Sequence, residues 1–140
     1  MSVGGVVYGS TPYVNATIER AFSSHFAWTA GAEIRTGAVT TAQAASATQP
    51  KANQVFALGL RYRFVSTGAT PYVGLSAGSA SHDGTTGSHA DVQVGLLVPV
   101  TANGGLDLGV RPVVYECAQA LRAPWSAGLR WTFGATRSAP

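Results

Sequence analysis

The stretch VFALGLRYRF, residues 55–64, decides between the two folds that this sequence allows. In a β-strand, successive side chains point to opposite faces of the sheet. One face of this strand would be wholly apolar: Phe56, Leu58, Leu60, Tyr62 and Phe64. The other face would carry a glycine and two arginines: Val55, Ala57, Gly59, Arg61 and Arg63. The apolar face must look either into a water-free core or outward into lipid.

The same alternation recurs along the chain, and helical periodicity is nearly absent. It predicts eight strands over residues 2–9, 12–22, 25–37, 54–64, 71–81, 89–100, 106–117 and 122–133. Most of these segments exceed the roughly 5–6 residues of an ordinary strand. They match the roughly 9–11 residues that a tilted membrane-spanning strand needs. We therefore predict an all-β, antiparallel, up-and-down sheet forming one domain over residues 1–133, with residues 134–140 as a C-terminal tail.

The polar face of these strands is unusual for a surface that meets water. Charged residues make up 11% of the chain, against about 25% in typical soluble domains. Glycine, serine, threonine and alanine dominate this face, and its few charges nearly balance. The interior of an eight-stranded barrel is just wide enough for side chains, and arginine suits buried ion pairs. We predict an interior charge network of Glu19, Glu33, Arg35, Arg61, Arg63, Asp91, Asp107, Arg111 and Arg130.

Large aromatic residues lie mainly near the ends of the predicted strands, whereas the strand centres carry valine, leucine, isoleucine and alanine. Membrane barrels place aromatic rings in girdles at the two membrane interfaces. The predicted girdle residues are Phe22, Phe26, Trp28, Phe64, Tyr72, Tyr115, Trp125, Trp131 and Phe133.

These alternating strands and the closing segment SAGLRWTF, Ser126–Phe133, resemble the small eight-stranded outer-membrane barrels of Gram-negative bacteria, the OmpA/OmpX-like group. The resemblance implies an eight-stranded transmembrane β-barrel in the bacterial outer membrane, in contact with membrane lipid and lipopolysaccharide. It also implies periplasmic termini, with residues 36–53 as the longest outer loop. Phe133 would be the terminal aromatic residue of the assembly signal. The chain departs from the family pattern here, because residues 134–140 follow that aromatic residue.

Composition excludes several classes of protein. Cys117 is the only cysteine, so neither an internal disulfide nor a cysteine-based metal site can form. The net charge of +3 is spread along the chain, which argues against a nucleic-acid partner. No apolar run approaches the roughly 20 residues of a transmembrane helix. The N-terminal MSVGGVVYGS lacks a basic segment and a long apolar segment, so we do not expect it to be a signal peptide.

The stretch HDGTTGSHAD, residues 82–91, is the one candidate for site chemistry. Imidazole and carboxylate groups suit zinc or copper, and the weak candidate ligands are His82, Asp83, His89 and Asp91. A polar outer loop rich in turn residues accounts for the same composition, and we prefer that interpretation. Ser88, His89 and Asp91 have the residue types of a hydrolase, but neighbours on a strand face opposite ways. We predict no catalysis, no bound metal and no cofactor.

The predicted function is therefore that of a small outer-membrane barrel with a structural or envelope-assembly role. Its lumen would be plugged by ion pairs, and its partners would be lipid, lipopolysaccharide and other envelope proteins. One alternative is a soluble closed barrel, lipocalin-like or avidin-like, whose apolar face lines a cavity for a small apolar ligand. A second alternative is a membrane-embedded lipid hydrolase that uses Ser88 and His89.

Overall fold

The fold is built from β-strands throughout the residues that the structure describes. This computed structural model describes residues 1–8, 11–36, 53–65, 67–82, 85–101, 104–116, 119–122 and 126–133. Within these ranges lie nine strands: β1 (Ser2–Tyr8), β2 (Thr11–Ala21), β3 (Phe26–Arg35), β4 (Gln54–Arg63), β5 (Thr70–His82), β6 (Thr85–Thr101), β7 (Gly104–Glu116), β8 (Gln119–Arg122) and β9 (Ser126–Phe133). The described residues contain no helix long and apolar enough to cross a membrane.

All nine strands belong to one curled, antiparallel sheet. Strands β1 to β7 each pair with the next strand along the chain. Strand β9 pairs with both β7 and β1, so the pairings lead from β7 through β9 back to β1. The short strand β8 pairs only with the end of β7 among the described strands. The prediction of an all-β, antiparallel, up-and-down architecture is confirmed.

The strand bounds agree with the prediction over the first half of the chain and differ in two places beyond it. Strand β6 begins at Thr85 rather than residue 89, because the β5–β6 hairpin continues until His82 pairs with Thr85. The predicted loop over residues 82–88 is therefore mostly strand. The predicted last strand, residues 122–133, is replaced by β8 and β9. Residues 37–52 of the predicted outer loop and residues 134–140, the predicted tail, lie outside the described residues.

Two prolines in the β6–β7 pair stand beside breaks in the pairing register. Val92 pairs with Val113 and Val94 with Val110. One residue of β6 therefore opposes both Arg111 and Pro112. Proline cannot donate to the ladder, and a β-bulge leaves one residue unpaired. The second break lies between Pro99 and Thr101. The bulge at Pro112 adjoins Arg111, a residue of the interior charge network.

Burial in this sheet is the reverse of that in a water-soluble protein. The outer face carries large exposed apolar side chains, including Ile18, Trp28 and Leu58, whose exposed fractions are 62%, 59% and 69%. The inner face buries charged side chains, among them Glu33, Arg61 and Asp107. The face that carries the arginines in residues 55–64 therefore points inward, and the face of Phe56, Leu58 and Leu60 points outward. Because burying an unpaired charge is costly, the inner face requires partners for each charge.

Candidate functional site

Two clusters of charged side chains fill the interior of the curled sheet. The first, the Arg61 cluster, consists of Glu19, Arg61, Arg63, Tyr72 and Asp107. Arg61 lies at its centre, with Nη1 2.6 Å from Glu19 Oε2 and Nη2 3.3 Å from Asp107 Oδ2. Arg63 donates a second hydrogen bond to Glu19. Two guanidinium groups thus meet two carboxylates, and the cluster is electrically balanced.

Tyr72 does not belong to the predicted aromatic girdle. The sequence prediction placed this ring at the membrane-facing surface, but the side chain is only 1% exposed and lies inside the sheet. Its hydroxyl donates a 2.7 Å hydrogen bond to Asp107 Oδ1, and the guanidinium carbon of Arg61 stands 4.0 Å from the ring centroid. The alternation along β5 already indicated an inward position, because Tyr72 lies on the same face of the strand as Gly74 and Ser76.

The second cluster, the Arg111 cluster, consists of Asn15, Glu33, His89, Asp91 and Arg111. Arg111 donates to Glu33, which also accepts a 2.7 Å hydrogen bond from Asn15 Nδ2. Arg111 Nε lies 3.7 Å from Asp91 Oδ2, and His89 Nε2 lies 3.0 Å from the same oxygen. His89 and Asp91 are 3% and 5% exposed. One guanidinium therefore stands between two buried carboxylates, and an imidazole adjoins one of them.

The remaining members of the predicted charge network are Arg35 and Arg130. The guanidinium of Arg35 lies beside Tyr13, with Nε 3.4 Å from the phenolic oxygen and the guanidinium carbon 5.8 Å from the ring centroid. Arg130 pairs in register with Asp107 through the backbone, while its side chain lies outside the described residues. The structure thus brings the other seven predicted members into the two clusters. Sequence reasoning missed Tyr13 and Asn15, which share the parity of Glu19 on β2.

Four of the predicted girdle residues lie on the outer face at one end of the sheet. Phe22 stacks on Phe26 with ring centroids 6.0 Å apart, and it lies 5.7 Å from Trp28. Tyr62 joins them, 5.0 Å from Phe26 and 5.3 Å from Phe64. All of them adjoin the β2–β3 turn or the end of β4. Trp131 is half-buried; Trp125 and the side chains of Tyr115 and Phe133 lie outside the described set.

The candidate metal ligands do not form a site within the described part of the chain. His89 and Asp91 are interior residues of β6 and members of the Arg111 cluster, rather than residues of an outer loop. Asp83 and the side chain of His82 lie outside the described residues. No group of three or more potential ligands occurs among the residues that were placed. His89 is buried whereas Ser88 is exposed, so the two side chains point to opposite faces, as the alternation predicts.

Small residues on the inner face leave room for the large side chains of the two clusters. Gly95 shows how tightly this space is filled, because a Cβ atom there would lie 2.5 Å from both Cζ and the hydroxyl of Tyr72 and from the Leu108 carbonyl oxygen. Geometry of this kind stabilises a fixed arrangement of charges. Neither cluster contains a serine, threonine or cysteine, whereas Ser24 Oγ lies 2.8 Å from His25 Nδ1 in the exposed turn between β2 and β3.

Replacing Gly95 with alanine is expected to destabilise the fold by about 1–3 kcal/mol, the usual range for overpacking. The added methyl group would displace Tyr72 from Asp107 and weaken the Arg61 cluster. Gly74→Ala is the matched control, because a Cβ there would meet ordinary contacts of 3.5 and 3.6 Å. Urea unfolding of both variants, followed by tryptophan fluorescence, measures the difference. Equal unfolding midpoints would show that Tyr72 does not depend on the missing Cβ.

Comparison with protein-family models, curated proteins and solved structures finds no match to this chain.

Proposed function

We propose that this protein is a small eight-stranded β-barrel that spans the outer membrane of a Gram-negative bacterium, with a structural or envelope-assembly role and no catalytic activity. The reversed burial of the sheet carries this proposal. Large apolar side chains cover the outer face, and the charged residues lie inside. A hydrocarbon environment stabilises that arrangement, whereas water would leave the exposed leucine, isoleucine and valine side chains unburied.

The pairing of the strands supports closure of the barrel. Eight strands take part in the circuit from β1 through β7 and β9 to β1, and β8 is a short addition at the end of β7. Within lipid, every backbone N–H and C=O must be hydrogen-bonded inside the protein, so an open sheet edge is not tolerated. A closed circuit meets that requirement.

The interior supports a plugged rather than a conducting lumen. An eight-stranded barrel has room only for its side chains, and here Arg61 and Arg111 reach partners on distant strands. Arg61 bonds to Glu19 and Asp107, which are 42 and 46 residues away in the chain. Arg111 bonds to Glu33 across 78 residues. These cross-lumen bonds tie strands together in a fixed register, which is a structural role.

The outer surface supports lipid as the principal partner. The aromatic patch of Phe22, Phe26, Trp28, Tyr62 and Phe64 adjoins the turns at one end of the sheet, where aromatic side chains sit at a membrane interface. Arg20 lies exposed beside this patch and pairs in register with Trp28, so its charge can reach lipid headgroups. Lipopolysaccharide would cover the outer half of the apolar face. We also propose that the protein takes part in a larger assembly of envelope proteins.

The two alternative functions have less support. A soluble barrel for an apolar ligand needs an apolar cavity, but the inner face carries the two charged clusters. A lipid hydrolase needs Ser88 beside His89, but these side chains lie on opposite faces of β6.

Gel mobility and membrane partition test the proposed function. The full chain would be produced in a Gram-negative host with an export signal, and the membrane fraction would be solubilised in detergent. We expect the chain in the outer-membrane fraction and a different mobility in SDS before and after boiling, because a closed barrel resists SDS until it is heated. A chain that is monodisperse in water without detergent would overturn the proposal.

A further inference from the structure

An apolar groove crosses the outer face of the sheet from β2 to β5. It encloses about 610 Å³, which lies within the roughly 300–1,000 Å³ of small-molecule binding clefts. At its centre, Ala30 on β3 lies between Ile18 on β2 and Leu58 on β4, so a short side chain is flanked by two long ones. We call this feature the Ala30 groove; its lining includes Ala16, Ile18, Ala30, Ala32, Phe56 and Leu58.

One positive charge stands beside this groove. Arg20 follows Ile18 by two residues on the outer face of β2, and it pairs in register with Trp28 just as Ile18 pairs with Ala30. Among the side chains that the structure describes, Arg20 is the only charged one exposed on the outer face, and it has no hydrogen bond or ion pair within that set. A guanidinium at the edge of hydrocarbon is stabilised by an anion, which here must come from outside the described chain.

The groove and the charge together fit within one leaflet of a bilayer. Arg20 and Ala16 are four residues apart on β2, about 13 Å at about 3.3 Å per residue. One leaflet is about 15 Å thick, half of the roughly 30 Å hydrocarbon core. Arg20 lies near the β2–β3 turn, where the aromatic patch adjoins the membrane interface. A lipid with its headgroup at Arg20 would therefore lay its acyl chain along the groove.

The charge determines which lipid is favoured. Acyl chains meet apolar surroundings both in the groove and in the bulk bilayer, so the hydrophobic effect does not select among lipids. Arginine forms paired hydrogen bonds with phosphate groups. A zwitterionic headgroup carries its own ammonium group, which competes with Arg20 for the phosphate, whereas an acidic headgroup carries no such competitor. The site therefore favours a lipid with a net negative headgroup.

We propose that the Ala30 groove is a binding site for one acidic glycerophospholipid, whose phosphate pairs with Arg20 and whose acyl chain lies over Ala30 and Ala32. This inference rests on the proposed membrane-spanning barrel, because only a lipid-facing groove meets acyl chains. With the β3–β4 loop outside, Arg20 is at the periplasmic end of the barrel. The lipid then comes from the inner leaflet of the outer membrane, rather than from lipopolysaccharide in the outer leaflet.

Fluorescence quenching of Trp28 by brominated lipids tests this site. Trp28 precedes Ala30 by two residues on the same face, and Trp125→Phe with Trp131→Phe leaves it as the only tryptophan. This parent chain would be folded into vesicles of phosphatidylcholine with a minor fraction of brominated phosphatidylglycerol or brominated phosphatidylcholine. We expect stronger quenching by the phosphatidylglycerol, corresponding to about fivefold preferential binding, the effect of one basic residue at an anionic membrane surface.

Four variants of this parent chain separate the charge from the groove. Arg20→Gln should abolish the preference and leave quenching by phosphatidylcholine unchanged, whereas Arg20→Lys should retain part of the preference. Ala32→Leu fills the groove and should reduce quenching by phosphatidylglycerol. Lys51→Gln is the matched control for net charge, because the segment that joins β3 to β4 lies in the chain at the strand ends opposite the β2–β3 turn. It should leave the preference unchanged.

Equal quenching by the two lipids in the parent chain would overturn the proposal, as would a preference that survives both Arg20→Gln and Ala32→Leu. Loss of the preference in Lys51→Gln would also overturn it, because the attraction would then follow the net charge. A chain without a heat-dependent mobility shift in these vesicles would overturn the membrane barrel and the site together. A folded, inserted chain without a lipid preference contradicts the site alone.

Discussion

Replacing Arg61 with methionine is expected to destabilise the folded chain by about 3–5 kcal/mol, the usual effect of removing one partner of a buried ion pair. Arg61 contacts Glu19, Asp107 and the ring of Tyr72. Its loss would remove the positive charge that lies 3.3 Å from the fully buried carboxylate of Asp107. Methionine keeps most of the side-chain length, so the effect reports the missing charge rather than a cavity. Urea unfolding in the medium that supports the parent protein measures it.

Arg20→Met is the matched control for this variant. Arg20 lies one residue after Glu19 on β2, but it is exposed on the outer face. A surface substitution of this kind usually changes stability by less than about 0.5 kcal/mol. If both arginine variants unfold at the same urea concentration, the interior cluster does not stabilise the fold. Restored stability in the double variant Arg61→Met with Asp107→Asn would confirm that the buried negative charge of Asp107 caused the loss.

Replacing Leu58 with arginine is expected to prevent stable folding in a membrane and to be harmless in water. Leu58 is 69% exposed at the centre of β4 on the outer face. On the lipid face of a membrane barrel, arginine near the bilayer midplane costs about 2–4 kcal/mol. On a water-exposed surface, the same substitution would be close to neutral. The fraction of chain that folds into lipid vesicles, read from its mobility in unboiled gels, distinguishes these outcomes.

Phe22→Arg provides the control in which the same charge is placed at the end of a strand. Phe22 is also exposed on the outer face, but it adjoins the β2–β3 turn, where arginine would cost only about 0–1 kcal/mol. We expect Phe22→Arg to fold in vesicles with nearly parental yield. Equal yields for the two variants would mean that the outer face has no depth-dependent polarity, which contradicts a membrane-spanning sheet.

Several features of this structure were readable from short stretches of sequence. The period-2 pattern of residues 55–64 separated the two faces of β4, and the same pattern located the strands up to β5 within about two residues. Pro99 and Pro112 stand beside the irregular pairing between β6 and β7, because a proline in a ladder removes a donor. Each of these features depends on neighbours in the chain.

Two misplacements had local causes. Tyr72 was assigned to the girdle because aromatic residues near strand ends are common at membrane interfaces, although the parity of β5 placed it inside. The hairpin between β5 and β6 extends through a threonine-rich and glycine-rich segment that reads equally well as a loop. Its extension depends on the pairing of His82 with Thr85, which composition does not reveal.

The alternation of polar and apolar residues was sufficient to predict an all-β sheet with one charged face and one apolar face. The curled sheet decided which charges pair, because the partners of Arg61 come from β2 and β7 and those of Arg111 come from β3 and β6. Strand order and register bring such residues together across the interior, and no local pattern encodes these contacts. A small cavity lined by Ser76 and His89 arises in the same way, because side chains from β2 to β7 meet around it.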